Sequence, residues 1–261
     1  MRAATSIVVA ALVGIAACSS DDTDATTPST ETTTTSTTVA TTEVEPVDDR
    51  TEEDLARDLA AAEQVVLRAD DLGPGWQPDP VPELDVDALD DGLADCLGTE
   101  PDQLYRDDPS AVSDLFVVPD PLDDRSIEAE VMVVASEEIA RQLLERYRDG
   151  ELVECVGQDY HHVVVETFAA GGDGLRDDLV VGELGIERLT LPAVGDDHVA
   201  IRYRIPVSAS DLDVAIYLDR TAVQVGRLVI FLSAGNTVEP FPDPLFAQAL
   251  TAMASRVPAD L

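Results

Sequence analysis

The chain has 261 residues, and its 16 basic residues against 53 acidic residues give a formal net charge of −37 at neutral pH. A field this negative repels phosphate groups and offers few cations for counterion release, so nucleic acid is excluded as a partner. Hydrophobic residues make up 45% of the chain, which is enough to form the core of one folded domain.

The first eighteen residues have the pattern of a bacterial lipoprotein signal. Arg2 precedes an apolar run over 7–17, which is shorter than the ~20 residues that a membrane-spanning helix needs. The small residues Ala16 and Ala17 stand directly before Cys18, where a signal peptidase requires small side chains. We therefore expect residues 1–17 to be removed and Cys18 to carry the lipid that holds the protein at the extracytoplasmic face of the cell membrane. An ordinary secretory signal cut near Ala17 is the alternative.

Residues 18–50 form the second region. After Cys18 they are dominated by Thr, Ser, Asp and Glu, with almost no side chain that a core could bury. This composition predicts a disordered tether, and as a flexible coil it would span roughly 30 Å. Residues 51–261 then form a single domain.

Two cysteines are left inside that domain. Cys96 and Cys155 are expected to pair as a disulfide, because exported proteins form disulfides and no other cysteine is available after Cys18 is lipidated. Two free thiols are the alternative.

Helical periodicity and capping residues predict four helices. Thr51 caps the first, and its apolar stripe recurs at Leu55, Leu59, Ala62 and Val66. A second, short helix is predicted over 84–97. The third runs from its cap Ser136 to Asp149 and is stopped by Gly150, and the last begins with Asp243 as its cap and reaches Val257.

Runs of β-branched residues predict the strands. Residues 114–118 and 127–134 are expected to form an antiparallel pair. Further strands are predicted at 161–168, 186–191, 198–207, 211–218 and 222–232. Consecutive strands without intervening helices require antiparallel pairing. The fold class is therefore α+β, a curved antiparallel sheet with three to four packed helices.

Candidate metal sites are weak. His161 and His162 are adjacent in a predicted strand, so their side chains point to opposite faces and cannot easily share one ion with His198. The acidic stretch from Asp85 fails the EF-hand pattern, because its fifth position is Leu89. We expect no metal site and no cofactor.

Catalytic signals are also weak, so we expect a protein that is not an enzyme, with no catalytic residues. The sequence has no Gly-x-Ser-x-Gly motif, and neither cysteine is spare if the two pair. The glycine-rich segments 171–174 and 195–197 are interpreted as turns. Trp76, the single tryptophan, is interpreted as a plug over the core, with a stacking platform for a sugar or lipid as the functional alternative.

The order of the short motifs resembles a known layout: Asp71–Trp76, Asp95–Gly98, Ser113–Phe116, Cys155 and Leu191–Arg202. In this order the chain resembles actinobacterial secreted lipoproteins and, more distantly, the extracellular sensor domain of PknH-type serine/threonine kinases, over about residues 50 to 257. The resemblance implies a cleft between sheet and helices that takes a ligand, and two disulfides, of which only one is possible here.

The sequence therefore favours a non-enzymatic, envelope-anchored lipoprotein with a ligand-binding or sensor-like domain. We expect the cleft to lie between the sheet and the helix 136–149, and the ligand to be a small apolar or amphipathic molecule, with Trp76 as a weak candidate contact. Two alternatives remain: a structural module that binds another envelope protein, and a hydrolase acting on wall polymer or lipid.

Overall fold

The structure is a computed structural model, and it describes residues 49–79, 93–99, 108–118, 125–170, 179–209, 212–259 and 261. The predicted signal 1–17, the predicted lipidation site Cys18, the predicted tether as far as residue 48, the acidic residues from Asp85 to Asp91 and the glycine-rich segment 171–174 lie outside these residues.

The α+β fold class is confirmed, because the described strands form one antiparallel sheet that does not close. Its strands run in the order β1-β3-β4-β9-β8-β7-β5, while β2 pairs with β4 and β6 pairs with β7. The strands are β1 Gln77–Asp79, β2 Ser110–Val112, β3 Leu115–Val117, β4 Ser126–Val133, β5 Val180–Val181, β6 Gly185–Arg188, β7 Asp197–Ala209, β8 Leu212–Val225 and β9 Leu228–Thr237. The helices are α1 Glu52–Val65, α2 Ala69–Leu72, α3 over 93–97, α4 Glu137–Arg148, α5 Gly150–Ala170 and α6 Asp243–Ala254.

Each face of the sheet carries its own core. On β4, Ile127, Ala129, Val131 and Val133 join the core that contains residues of α1 and α6, which we call the α1/α6 face. Met132 points to the opposite face, where residues of α4 and α5 complete a second core, which we call the α4/α5 face. Because successive strand residues alternate between faces, the remaining even-numbered residues of β4 also belong to the α4/α5 face.

Helix α1 begins as predicted, and its buried stripe includes the predicted Ala62 but excludes Leu59. Thr51 forms a capping box with Asp54, which confirms the cap. The predicted inward residue Leu59 is 39% exposed, whereas Asp58 is buried with Ala61, Ala62 and Val65. Asp58 accepts hydrogen bonds from Arg50 and Arg227, so this ion-pair network determines which side of the helix faces inward.

The predicted strand 161–168 is wrong, because these residues belong to α5. Val153, Tyr160 and Val164 are spaced so that they share one face of that helix, and all three are buried in the second core. This burial outweighs the preference of consecutive valines for strands. Gly150, predicted to stop the preceding helix, instead begins α5, and the chain turns at Asp149, whose backbone is extended.

The last strands form one long hairpin, with its turn one residue beyond β8. The sequence analysis placed the turn between these strands at residues 219–221. In the structure β8 continues through these residues, and the turn contains Gly226, whose φ is 57°. Asp219 stays inside the strand because Arg202 on β7 donates two hydrogen bonds of 2.7 Å to its carboxylate.

Other predictions are confirmed with shifted bounds. Phe116 pairs with Ile127 as expected for the β3–β4 pair, and α4 follows its cap Ser136. Helix α6 buries Phe246, Leu250 and Met253, but its N-cap is Pro242 and not Asp243. Asp243 lies in the first turn of α6, where its Oδ1 is 3.2 Å from Nη2 of Arg202.

Candidate functional site

The space between α4 and the sheet is filled in the described part of the chain. Ile139, Ala140 and Leu144 of α4 are at most 4% exposed in the second core. At the end of the helix, Tyr147 stacks on Phe231 with ring centroids 5.2 Å apart. The described residues therefore do not form the predicted ligand cleft at this interface.

A cavity lies instead between α5 and the segment from β5 to β6. Its volume is about 440 Å³. Gln158 and His161 line it from α5, one helical turn apart. The facing wall consists of four consecutive residues, Val181, Gly182, Glu183 and Leu184.

The polar groups of this cavity have defined roles. His161 Nε2 lies 2.8 Å from the carbonyl oxygen of Gly182, and a carbonyl only accepts. The ring therefore carries its proton on Nε2, and Nδ1 is the acceptor when the ring is neutral. Gln158 lies beside the disulfide, with its Oε1 4.0 Å from Cys96 Sγ. The α5 cavity thus combines an imidazole, an amide and the carboxylate of Glu183.

The wall of the cavity is held in place by a disulfide and a close contact. Cys96 and Cys155 are bonded with a Cα–Cα distance of 5.7 Å, which joins α3 to α5. Gly157 lets α5 approach the sheet, because a Cβ there would lie 2.8 Å from side-chain carbons of Leu184 and Tyr203. A larger residue at 157 would force either α5 or these two side chains to shift.

Apolar side chains flank the cavity and remain accessible. Val165 follows His161 by one turn on the same side of α5 and is 37% exposed. Ile186 on β6 pairs with Tyr203, which faces α5, and is 39% exposed. Both residues lie outside the lining of the cavity and leave apolar surface exposed near it.

A second, more open cavity of about 720 Å³ lies at the start of α4. Glu137, Glu138, Arg141 and Arg227 contribute to its lining. Arg141 and Glu138 already pair with each other there. A lining of mutually paired surface charges is a weaker basis for ligand recognition than the mixed lining of the α5 cavity.

Two buried glutamates form an unusual polar group on the α4/α5 face of the sheet. Glu128 and Glu130 of β4 are each 3% exposed. Burial raises the pKa of both carboxyl groups to about 7, although Arg220 and, for Glu130, a hydrogen bond from Ser110 act in the opposite direction. In the described part of the chain, Oε1 of each group is buried without a hydrogen-bond partner.

Sequence reasoning missed both the α5 cavity and the buried glutamate pair. The cavity depends on α5, which was predicted as a strand. The glutamates alternate with apolar residues along β4, a pattern typical of a half-exposed strand, but β4 lies inside the sheet between β9 and the β2 and β3 strands. One signal in the sequence could have indicated their burial: apolar residues continue along the chain on both sides of Glu128 and Glu130.

The structure does not bring the three histidines together. His162 points away from the cavity and lies 3.3 Å from Glu166 on the exposed side of α5, while His198 lies on β7. Among the described residues, no group of three or more His, Cys, Asp or Glu side chains could hold a metal ion.

Trp76 lies over the edge of the first core. Its ring centroid is 6.0 Å from that of Phe241, and the guanidinium carbon of Arg125 lies 5.7 Å from the centroid of the indole ring. It packs against this core on the far side of the sheet from the α5 cavity.

No family model matches the chain, and no curated protein matches it. Among solved structures, the extracellular domain of PknH from Mycobacterium tuberculosis matches with 9% sequence identity, covering 69% of this chain and 97% of that one, at a TM-score of 0.29. A likeness at this TM-score is no basis for inferring function. Within the described residues, no helix has both the length and the apolar character that crossing a membrane requires.

Proposed function

We propose that this chain is a non-enzymatic, envelope-anchored binding protein whose sensor-like domain takes a small amphipathic ligand in the α5 cavity. The observation that carries this proposal is the cavity itself. Its volume of about 440 Å³ falls within the range of small-molecule sites, roughly 300–1,000 Å³.

The lining indicates the chemistry of the ligand. Val181 and Leu184 offer apolar surface, while His161 Nδ1 and the carboxylate of Glu183 can accept hydrogen bonds. The net charge of −37 disfavours an anionic ligand. A neutral or cationic molecule with an apolar part and a hydrogen-bond donor matches these groups.

The location is part of the same proposal. Cys18 would carry the lipid, and residues 18–50 would separate the domain from the membrane surface. The disulfide between Cys96 and Cys155 supports an oxidising compartment outside the cytoplasm.

The proposal of a binding protein, and not a hydrolase, rests on the residues of the two polar sites. The residues that line the α5 cavity include no serine, threonine or cysteine that His161 could activate as a nucleophile. Glu128 and Glu130 are each only 3% exposed, so a wall polymer could not reach them as the two carboxyl groups of a glycosidase.

A structural module that binds another envelope protein is the second candidate. The observation that favours it is the filled interface between α4 and the sheet, which leaves the described surface closed on that side.

The test is native mass spectrometry of the full protein, extracted from its own membranes, before and after denaturation. We expect a discrete extra mass that is lost on denaturation. His161→Trp should abolish it by filling the cavity, while His162→Trp on the exposed side of α5 should keep it.

Either of two results would contradict the proposal. A bare lipidated polypeptide would favour the interaction module. An extra mass that survives in His161→Trp, with the fold checked by circular dichroism, would place the ligand elsewhere.

A further inference from the structure

One end of the sheet is left open on the α1/α6 face. The core of this face reaches Ala200 on β7 and Val223 on β8. Arg204 and Tyr217 lie an even number of residues further along these strands, so they share the same face but are not part of that core. Arg204 pairs with Tyr217, and Tyr217 pairs with Asn236, which places the three residues in one row across β7, β8 and β9. Arg204 is exposed and the other two are half-buried, so solvent reaches this row.

A second row beside the first is apolar. Pro206 pairs with Ala215, and the backbone N–H of Val238 donates to the carbonyl oxygen of Ala215 at 2.8 Å. Val238 is 61% exposed, and its φ of 77° is unfavourable for a β-branched residue. Residues held in such conformations cluster at ligand-binding sites. We call the two rows the open platform: Arg204, Tyr217, Asn236, Pro206, Ala215 and Val238.

Two glycines leave the outer side of the open platform uncovered. Gly185 pairs with Arg204, and the backbone N–H of Gly182 donates to the carbonyl oxygen of Pro206 at 2.7 Å. A Cβ at position 182 would lie 3.2 Å from Cβ of Pro206, and a Cβ at position 185 would lie 3.8 Å from Cβ of Arg204. Because both side chains are missing, nothing on β5 or β6 shields Arg204 and Pro206 at these two positions.

The polar groups of the open platform have hydrogen-bonding capacity to spare. In the described part of the chain the guanidinium of Arg204 forms no ion pair or hydrogen bond, whereas the neighbouring Arg202 is bonded to Asp219. Oδ1 of Asn236 accepts from the backbone N–H of Thr237 at 3.0 Å, so its amide nitrogen is the group left for a ligand. N–H donors therefore stand on both sides of the Tyr217 ring.

The charges favour a neutral ligand with many hydroxyl groups. The net charge of −37 repels anions. Arg204 is the one charged side chain of the open platform, so no carboxylate belongs to it that could pair with a cation. The row from Arg204 to Asn236 crosses two strand spacings, roughly 10 Å, which is longer than a single sugar ring.

We propose that the open platform binds a neutral oligosaccharide, with one sugar ring packed on Tyr217 and hydroxyl groups that accept from Arg204 and Asn236. A sugar ring has an apolar face of C–H groups, which packs on an aromatic ring, and hydroxyl groups at its rim, which form hydrogen bonds. The open platform lies on the opposite face of the sheet from α5. This inference therefore goes beyond the proposed function and is independent of the α5 cavity.

The experiment is isothermal titration calorimetry of the full protein with four neutral tetrasaccharides: cellotetraose, maltotetraose, mannotetraose and N-acetylchitotetraose. We expect saturable binding of at least one of them. Arg204→Ala and Tyr217→Ala should each weaken that binding by about 10-fold or more. Tyr217→Phe keeps the ring and should lose less than Tyr217→Ala.

The matched control is Arg146→Ala, which removes an exposed arginine from α4 on the other face of the sheet and should bind like the wild type. Circular dichroism establishes that each variant is folded, and Arg204→Ala changes only an exposed side chain. No saturable binding of any of the four sugars would overturn the proposal. Unchanged binding in Arg204→Ala, an equal loss in Arg146→Ala, or tighter binding of the acidic tetragalacturonate would overturn it as well.

Discussion

Arg227 and Asp58 form a two-bond ion pair that fastens the turn between β8 and β9 to helix α1. Arg227 Nη2 lies 2.8 Å from Asp58 Oδ1, and Nη1 lies 3.1 Å from Oδ2. Arg50 donates to the same carboxylate at 3.1 Å, and Asp58 is only 2% exposed. Arg227 also donates to the carbonyl oxygen of Val134 at 2.8 Å, so the network links α1, the end of β4 and the hairpin turn.

Replacing Asp58 should therefore lower the free energy of unfolding substantially. Asp58→Ala removes the carboxylate that Arg227 and Arg50 share, while Arg50 keeps its ion pair with Asp108. Breaking a buried pair costs about 3–5 kcal/mol, and because Arg50 stays paired and Arg227 is 25% exposed we expect the lower end of this range. Urea unfolding at pH 7 measures the change in free energy of unfolding. Glu63→Ala, at an exposed position of the same helix, serves as the control and should change it by less than about 0.5 kcal/mol. A loss below about 1 kcal/mol for Asp58→Ala would contradict the structural role of the pair.

The buried glutamates predict how stability depends on pH. Their pKa is about 7 in the folded protein and near 4.5 when the chain is unfolded. The folded state therefore holds more protons than the unfolded state between these values, and the free energy of unfolding should fall as the pH rises from about 4.5 to about 7. The loss is about 3 kcal/mol for each fully titrated carboxyl group.

Glutamine variants test this dependence. Glu128→Gln and Glu130→Gln should each raise the free energy of unfolding at pH 8 relative to wild type and leave it nearly unchanged at pH 5. Urea titrations between pH 5 and pH 8 provide the measurement. Curves that stay parallel to wild type across this range would show that the two groups do not titrate in this way.

Loss of the disulfide should loosen the wall of the α5 cavity. Cys96 and Cys155 are separated by 59 residues, and closing a loop of this size stabilises the folded chain by about 4 kcal/mol in the loop-entropy model. The double variant Cys96→Ala/Cys155→Ala should unfold at correspondingly lower urea concentration. Mass spectrometry after alkylation without reduction checks the bond itself, and modification of both cysteines would refute it.

Gly195 occupies a turn that a side chain cannot enter. Its φ is +68°, and a Cβ there would lie 2.3 Å from the carbonyl oxygen of Gln224. Gly195→Ala should cost about 1–3 kcal/mol, because both the backbone conformation and the contact are unfavourable. Gly150→Ala is the matched control, since no atom lies within 4 Å of its Cβ position and its φ is not positive. Similar unfolding midpoints for the two variants would contradict this explanation.

The lipid anchor has its own test. Cys18→Ser should release the protein from the membrane fraction or leave an uncut precursor, as seen by fractionation and mass measurement, because the modified cysteine is the proposed attachment point. Unchanged membrane association and processing would show that anchoring does not depend on Cys18.

The elements that sequence reasoning located best are those whose local signals agree. Ser136 caps α4, acids follow in its first turn, and its apolar residues recur at helical spacing, so capping and periodicity pointed to the same helix. Helix α5 was missed because Val163, Val164 and Val165 favour strands locally, while the contacts that stabilise the helix involve the distant Tyr203.

The candidate sites were harder to predict from the sequence, because they too depend on contacts between residues that are distant in the chain. His161 was identified as a residue of interest, but its partner Gly182 directly follows a strand of two residues, β5, that no local pattern indicated. Glu128 and Glu130 were placed in the correct strand, yet their burial depends on which strands lie beside β4, and only the sheet order determines this.

The most direct test of the binding proposal is an electron-density map of the protein purified with its native lipids. The proposal predicts a discrete ligand between α5 and the β5–β6 segment, within contact distance of His161 and Leu184. A map that resolves the cavity residues but shows only ordered solvent between them would contradict the proposal. A ligand bound at another surface would contradict it as well.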